Sequence, residues 1–222
     1  MDHATYRVSE IFRSIQGEGP SAGTPAHFVR LQGCGVGCHW CDTKYSWDAA
    51  AGRKLTAERI WAETEGLGEA PLLVVTGGEP LEHAGLARLL GQGLDRWPRV
   101  EVETSGIAPP PLTHPRLFYN VSPKLPSVTP GWAVSWRASA AWLAEANATF
   151  KIVVGDPPDA DDALRLIAEH EIPAARVMLM PEGLTDERVR AHALALTELC
   201  KRSGFRMSPR LHVWLWGARR GV

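Results

Sequence analysis

Short apolar segments alternate with longer amphipathic segments along most of this 222-residue chain. The apolar segments are rich in β-branched residues and almost continuously apolar, whereas the segments between them repeat apolar residues with a helical period. This alternation is typical of right-handed βαβ units around a parallel sheet. It predicts strands at 26–31, 72–76, 100–104, 117–121, 149–154 and 177–180, and helices at 56–65, 84–94, 138–146, 159–170 and 185–202.

The number of predicted strands limits the architecture. A closed β/α barrel has eight strands and usually takes ~250 residues. We therefore predict an α/β fold: a partial, open parallel β/α barrel of about six strands with an N-terminal extension, forming one domain over 1–222. Glycine, proline and polar residues follow five of the strands, at the sheet edge where ligands bind in such folds. These loops are 33–41, 77–80, 104–106, 122–124 and 181–183.

Charge and hydropathy exclude several classes of protein. The formal net charge is −1 and no Lys- or Arg-rich block occurs, which argues against generic nucleic-acid binding. No apolar run approaches the roughly 20 residues of a membrane helix. The first ten residues are charged and do not resemble a secretory signal. We expect a cytoplasmic protein with no membrane or nucleic-acid partner.

Three of the four cysteines lie within eight residues, in a glycine-rich segment that follows the first predicted strand. An odd local trio cannot pair internally, and clustered thiols in a reducing compartment more often bind metal. Cys34, Cys38 and Cys41 could hold three irons of a 4Fe–4S cubane, because the glycines let the backbone turn tightly around it. The fourth iron would then be open to a small molecule.

A zinc site is the alternative interpretation of the same segment. Cys34, Cys38, Cys41 and His39 would form a Cys₃His set. However, His39 directly follows Cys38, and no second pair of ligands occurs elsewhere, as zinc sites usually require. Cys200 falls on an apolar helical stripe and is expected in the core. The pattern therefore favours an iron–sulfur cluster.

Two motifs resemble those of the radical S-adenosylmethionine superfamily. The first is Cys-x₃-Cys-x₂-Cys with an aromatic residue, Trp40, before the last cysteine. The second is Gly77-Gly78-Glu79-Pro80, one βα unit later, which resembles the loop that holds the amino group of S-adenosylmethionine. Backbone carbonyls and the Glu79 carboxylate are suitable acceptors for an ammonium group.

Further segments resemble 7-carboxy-7-deazaguanine synthases, and the resemblance covers nearly the whole chain. These segments are 11–19, 28–31, 41–45, 103–106, 122–124 and 210–212. The resemblance implies a lyase of the queuosine and 7-deazapurine pathway. Such an enzyme uses a reduced 4Fe–4S cluster to cleave S-adenosylmethionine, takes a hydrogen from C6 of 6-carboxy-5,6,7,8-tetrahydropterin, contracts the ring and releases ammonia. It also implies Mg²⁺, a homodimer and a reducing, flavodoxin-like electron donor.

The resemblance assigns substrate contacts along the chain. Arg30 lies in an otherwise apolar strand, so its guanidinium needs an anionic partner; the substrate carboxylate or an internal ion pair would serve. His212 would face the same carboxylate or be structural. The implied substrate-binding set is Ile15, Gln16, Gly17, Glu18, Arg30, Thr76, His212 and Val222.

The resemblance also implies metal and cofactor contacts, but no side chain is predicted to act as a general acid or base. Thr43 matches the family's Mg²⁺ position, although a threonine here could simply cap a turn. Met180 stands where the family often has glutamine, which puts a side-chain hydrogen bond there in doubt. The implied cofactor-binding set is Gly78, Glu79, Thr104, Ser105, Ser122, Pro123, Lys124, Met180, Pro181, Glu182 and Gly183.

Two other functions remain open from sequence. A glycyl-radical activating enzyme shares the compact cysteine loop, but would act on a protein and lacks the Gln16-Gly17-Glu18-Gly19 opening. A zinc-stabilised binding module would have no catalysis at all. Turnover of the pterin without any protein substrate would distinguish the synthase from an activating enzyme. Metal analysis that found zinc and no sulfide after anaerobic reconstitution would support the zinc module instead.

Overall fold

The computed structural model describes residues 4–217 and 219–222. Within these residues one nine-stranded sheet runs in the order β3-β1-β2-β4-β5-β6-β7-β8-β9. The strands are β1 Thr5–Ile15, β2 Pro25–Leu31, β3 Arg53–Thr56, β4 Leu72–Gly77, β5 Arg99–Thr104, β6 Leu117–Val121, β7 Ala148–Val154, β8 Val177–Pro181 and β9 Arg206–Met207. The helices are α1 Ala57–Glu65, α2 Leu86–Leu94, α3 Ser139–Ala144, α4 Pro157–Glu169, α5 Asp186–Ser203 and α6 Leu211–Trp216.

The sheet is parallel from β2 through β9, and β1 runs antiparallel to both of its neighbours. β3 and β9 form the two edges, so the sheet stays open. The predicted open, parallel β/α architecture is therefore confirmed. The six predicted strands are β2 and β4 to β8, and the N-terminal extension is the antiparallel strand β1 together with β3.

The sequence did not predict β1, β3, β9 or α6. β1 mixes apolar and charged residues along its length and therefore contains no continuous apolar run. β3 is a four-residue edge strand, and the two residues of β9 are both exposed. Short polar strands of this kind commonly protect the edges of a sheet, and they carry little hydrophobic signal.

Side chains of the parallel strands point alternately to the two faces of the sheet: one face packs against the helices as the main core, and the other faces the interior of the open barrel. Leu73 and Val75 of β4 pack in the main core with the helices, including Trp61 of α1 and Leu89 of α2. Leu72 and Val74 point the other way and form a small interior cluster with Ala26 and Phe28 of β2. Because side chains alternate with a period of two, Arg30, Glu103 and Lys151 share this inner face. The interior is thus apolar at one end and charged at the other.

Local signals explain the helix boundaries that matter here. The Thr56 hydroxyl accepts a hydrogen bond from the Arg59 N–H at 3.3 Å, which caps the start of α1. Thr185 does the same for α5 through Arg188 at 3.3 Å, and α5 ends at Gly204 in the left-handed conformation. Among the described residues, no helix is both long enough and apolar enough to cross a membrane.

Candidate active site

A cavity of about 290 Å³ lies over the inner face of the sheet, and we call it the site cavity. It is open to the surface and is built mostly by residues at or after the carboxyl ends of the parallel strands, as expected for this class of fold. The structure brings most of the predicted residues together there. Those lining it are Ile15, Gln16, Gly17, Glu18, Arg30, Cys34, Cys38, Cys41, Thr43, Thr76, Gly78, Glu79, Thr104, Ser105, Ser122, Lys124, Met180, His212 and Val222.

Three thiols converge on one side of the site cavity. Cys34, Cys38 and Cys41 are free and line it together. The Cys41 sulfur accepts hydrogen bonds from the Thr43 N–H at 3.4 Å and from the Trp47 indole N–H at 3.3 Å. Donors of this kind stabilise a metal-bound thiolate and tune its potential. Burial raises the pKa of Cys34 and of Cys38, so metal binding must displace their protons.

A cubane cluster needs one thiolate for each of three irons, which the three free thiols of the site cavity can supply. Within the described part of the chain, no three His, Cys, Asp or Glu side chains are close enough to hold one metal ion. In a cubane, by contrast, each thiolate binds a different iron. Cys200 lies in α5, packed in the core, and His39 directs its Nδ1 to the Val128 carbonyl at 2.9 Å. Neither supplies a fourth ligand here.

The loop after β4 packs directly against the cysteine loop. The Gly78 N–H donates to the Leu31 carbonyl at 3.1 Å, and the Glu79 N–H donates to the Gly33 carbonyl at 2.8 Å. A Cβ added at Gly78 would lie 2.0 Å from the Gly33 oxygen and 2.8 Å from the Cys34 Cβ. Only glycine allows this approach. The two motifs that stand apart in sequence therefore form one backbone unit.

The Glu79 carboxylate is fully engaged by this chain's own donors. Its Oε1 accepts from the Leu81 N–H at 3.0 Å and the Thr104 hydroxyl at 2.6 Å. Its Oε2 accepts from the Ser105 N–H at 2.7 Å and from the Ser105 hydroxyl. A carboxylate offers about four lone-pair sites, so little capacity remains for a ligand. In this structure Glu79 joins its loop to the end of β5, and Thr104 and Ser105 use their hydroxyl hydrogens in doing so.

A buried network of charges forms the floor of the site cavity. The Lys151 ammonium lies 2.6 Å from an oxygen of Glu18 and 2.6 Å from an oxygen of Glu103. Arg210 contributes its Nε to Glu18 at 3.2 Å. The Gln16 amide donates to Glu103 at 3.1 Å. Arg210 also pairs with Asp42 at 2.5 Å, so two cations here face three carboxylates, and the side chains of Lys151 and Arg210 are almost completely buried.

The electrostatics of this network fix its protonation. Burial alone would raise the pKa of Glu18, but the charges of Lys151 and Arg210 hold it well below the usual range. Burial would lower the pKa of Lys151, yet the two carboxylates keep it above the usual lysine value. Burial raises the pKa of Glu103, despite the ammonium beside it, and lowers the pKa of His212. Glu18 and Lys151 are thus ionised at neutral pH, and His212 is neutral.

Glu103 and Lys151 were not predicted as site residues. Glu103 belonged to a motif, and Lys151 lay inside a predicted strand. Both are charged residues within predicted strands of the sheet, as Arg30 is, and a charge in such a strand indicates a buried partner or a bound ligand.

Arg30 already has a partner in the structure. Its Nε donates to the Glu10 carboxylate at 2.6 Å, across the antiparallel pair of β1 and β2. The internal ion pair is therefore present. No hydrogen bond of the two Nη groups occurs within the described residues, and the side chain lines the site cavity. The remaining face of the guanidinium is available to an anion.

Four predicted cofactor residues do not line the site cavity: Pro123, Pro181, Glu182 and Gly183. After Met180, which does line it, the chain turns toward α5. The Glu182 carboxylate there pairs with Arg188 at 2.6 Å, and its carbonyl oxygen lies 2.6 Å from the His192 ring. Contact of these four residues with the cofactor stays a prediction.

Lys124 and the last residues of the chain do line it. The Lys124 ammonium donates to the Ser122 hydroxyl at 3.1 Å, and no carboxylate of the described residues lies within ion-pair distance. Its charge opposes the effect of burial on the Cys38 thiol pKa. Val222 and Arg220 also line the site cavity.

Known proteins of one family are similar to this chain over nearly its whole length. No protein-family model matches the chain. The 7-carboxy-7-deazaguanine synthase of Pyrobaculum aerophilum is 42% identical over 97% of this chain and 96% of that protein. The chain belongs to the 7-carboxy-7-deazaguanine synthase family. The synthase of Hyperthermus butylicus is 37% identical over 93% of this chain and 91% of its own length.

A solved member of the synthase family has the same fold. The crystal structure of QueE from Escherichia coli superposes with a TM-score of 0.70 at 29% sequence identity, and covers 92% of this chain and 93% of that one. The family predicted from the sequence motifs is therefore confirmed, together with the prediction that the chain is an enzyme. The zinc-binding module and the protein-activating enzyme are not supported.

Proposed function

We propose that this synthase-family chain converts 6-carboxy-5,6,7,8-tetrahydropterin into 7-carboxy-7-deazaguanine with loss of ammonia, using a 4Fe–4S cluster, S-adenosylmethionine and Mg²⁺. One observation carries the proposal. A single cavity is lined both by the three free thiols and by amide, carboxylate and guanidinium groups suited to a pterin carboxylic acid. The family name of the relatives supplies the identity of the product.

Cys34, Cys38 and Cys41 would hold the cluster. When bound, the cluster and S-adenosylmethionine supply the one-electron chemistry, and the protein supplies position and exclusion of water. The Lys124 ammonium, free of any carboxylate among the described residues, is suited to the carboxylate of S-adenosylmethionine, with Ser122 beside it. The closely packed backbone at Gly78, rather than the engaged Glu79 side chain, would face the cofactor.

The substrate groups have clear counterparts in the site cavity. Glu18 stays ionised and can accept from the guanidine-like edge of the pterin, next to Gln16. The free face of Arg30 can hold the substrate carboxylate in a bidentate manner. Lys151 keeps the Glu18 and Glu103 carboxylates fixed between strands, so the floor does not rearrange on binding. The remaining proposed contacts are Ile15, Gly17, Thr76, His212 and Val222.

Mg²⁺, the electron donor and the homodimer are further parts of the proposal. The Thr43 hydroxyl lies 3.5 Å from the Cys41 sulfur and could give Mg²⁺ one oxygen ligand, with substrate and water completing the shell. A reducing, flavodoxin-like donor and a cytoplasmic location accord with free thiols. Exposed Trp214, Leu215 and Trp216 on α6 offer an apolar surface for a second copy.

The test compares two cysteine variants of the reconstituted enzyme. Anaerobic loading with iron and sulfide, followed by reduction with S-adenosylmethionine, Mg²⁺ and the pterin, should yield 7-carboxy-7-deazaguanine by mass spectrometry. Cys38→Ala should lose both the cluster absorbance and the product, because one of three ligands is gone. Cys200→Ala, which removes a core thiol, should keep both. A cluster that cleaves S-adenosylmethionine while the pterin stays intact would refute the substrate assignment.

A further inference from the structure

A single carboxylate, that of Glu10, binds three residues that line the site cavity. These residues are Arg30, Tyr45 and Arg220, and we call the part of the cavity beside them its mouth. Glu10 accepts from the Arg30 Nε at 2.6 Å and from the Tyr45 hydroxyl at 2.7 Å through Oε1. Its Oε2 accepts from the Arg220 Nε at 2.8 Å. These partners come from β2, from the loop after the cysteines and from the end of the chain. Glu10 therefore joins three segments that are distant in sequence.

The position of Glu10 follows from an irregularity in β1. The register with β2 shifts between Val8 and Glu10, so that Glu10 lies directly opposite Arg30. A bulge of this kind re-aims a side chain that regular alternation would place elsewhere. The pair is largely buried, with 12% of the Glu10 side chain and 15% of the Arg30 side chain exposed. This burial makes the pair more than a solvated surface contact.

The end of the chain is fixed by Arg220. Its guanidinium stacks over the Tyr45 ring at 4.1 Å and donates to the Ser9 carbonyl at 3.4 Å, in addition to its bond with Glu10. Arg219, Arg220, Gly221 and Val222 all line the site cavity. Stacking and the carboxylate together restrict where this planar guanidinium can lie. Arg219, Arg220 and Gly221 remain exposed to solvent, but the contacts of Arg220 hold this segment against the mouth of the site cavity.

We propose that Glu10 is a positioning residue that fixes Arg30 toward the substrate carboxylate and holds residues 219–222 as a strap along the mouth of the site cavity. The identity of the substrate rests on the proposed function. Two guanidinium groups share one carboxylate, so Glu10, Arg30 and Arg220 together carry one net positive charge, which suits an anionic pterin. Loss of the Arg220–Glu10 ion pair would free residues 219–222 from the mouth, whereas the Glu10–Arg30 ion pair would remain.

Limited trypsin digestion of the reconstituted enzyme tests the strap without turnover. Trypsin cleaves after Arg219 and Arg220, and intact mass reports loss of the last residues. Glu10→Gln keeps the shape but removes the charge, and should speed this truncation by about threefold to fivefold, the size of a partly exposed ion pair. Arg220→Ala should speed cleavage after Arg219 similarly. Arg190→Ala, which removes an exposed charge from α5, should leave the rate unchanged.

Steady-state kinetics test the positioning of Arg30. Glu10→Gln should raise KM for the pterin by about tenfold and lower kcat much less, because a misaligned guanidinium weakens substrate binding. Wild-type truncation rates in both Glu10→Gln and Arg220→Ala would refute the strap. Faster truncation with an unchanged KM would refute the link to substrate. If the wild type made no product, the proposed function would fail, while the digestion result would still decide the strap.

Discussion

Lys151→Met should lower the free energy of unfolding by about 3–5 kcal/mol, a large part of the stability of a typical domain. The substitution keeps the approximate length of the side chain but removes the cation between the two carboxylates, so Glu103 loses its ion pair and Glu18 keeps only Arg210. Only 3% of the Lys151 side chain is exposed, so water cannot replace the ammonium. Urea denaturation monitored by tryptophan fluorescence measures the loss.

Two controls separate charge burial from the loss of a lysine. Lys201→Met removes an exposed pair with Glu198 at 2.7 Å on α5 and should cost less than about 1 kcal/mol. Lys151→Met combined with Glu103→Gln should recover part of the stability, because one stranded charge is gone. Burial already raises the pKa of Glu103, so the deficit of Lys151→Met should shrink as pH falls and Glu103 takes up a proton. Equal losses in both single variants would contradict this description of the floor.

Gly78→Ala should abolish most cluster binding, although no cysteine is changed. The added Cβ would lie 2.0 Å from the Gly33 oxygen, and backbone cannot move away as a flexible side chain could. The cysteine loop and the loop after β4 would have to separate, which displaces Cys34. We expect iron content after reconstitution to fall severalfold and stability to fall by about 2–3 kcal/mol.

Gly91→Ala is the matched control for that variant. Gly91 lies in α2 and a Cβ there meets no atom within 4 Å. Alanine is the better helix former, so this variant should bind iron normally and gain up to about 1 kcal/mol of stability. Normal iron content in Gly78→Ala would mean that the two loops are not held as one unit.

Hydrophobic pattern predicted the part of the fold that is buried on both sides. β4 is apolar at Leu72, Leu73, Val74 and Val75, and such runs identify central parallel strands without any tertiary information. β1 escaped prediction because charged and hydroxyl residues interrupt its apolar residues. Its bulge, which places Glu10 opposite Arg30, depends on pairing with β2 and has no signature in the segment alone.

Motifs predicted most of the residues that line the site cavity, but not which of their side chains bind other residues of the chain and which are open to a ligand. A carboxylate such as Glu79 can bind a ligand or its own chain, and its donors Thr104 and Ser105 lie 25 and 26 residues away. The pairing of Lys151 with Glu18 spans 133 residues. Interactions between such distant residues follow from strand order and register, which a single sequence does not determine.

Pterin substrate deuterated at C6 tests the proposed ring contraction most directly. With reconstituted enzyme, S-adenosylmethionine, Mg²⁺ and a reductant, we predict 7-carboxy-7-deazaguanine together with deuterium recovered at the 5′ carbon of the adenosyl group. Mass spectrometry reads both in one sample. Cleavage of S-adenosylmethionine with no deuterium transfer and unchanged pterin would contradict the assignment of the site cavity to this ring contraction.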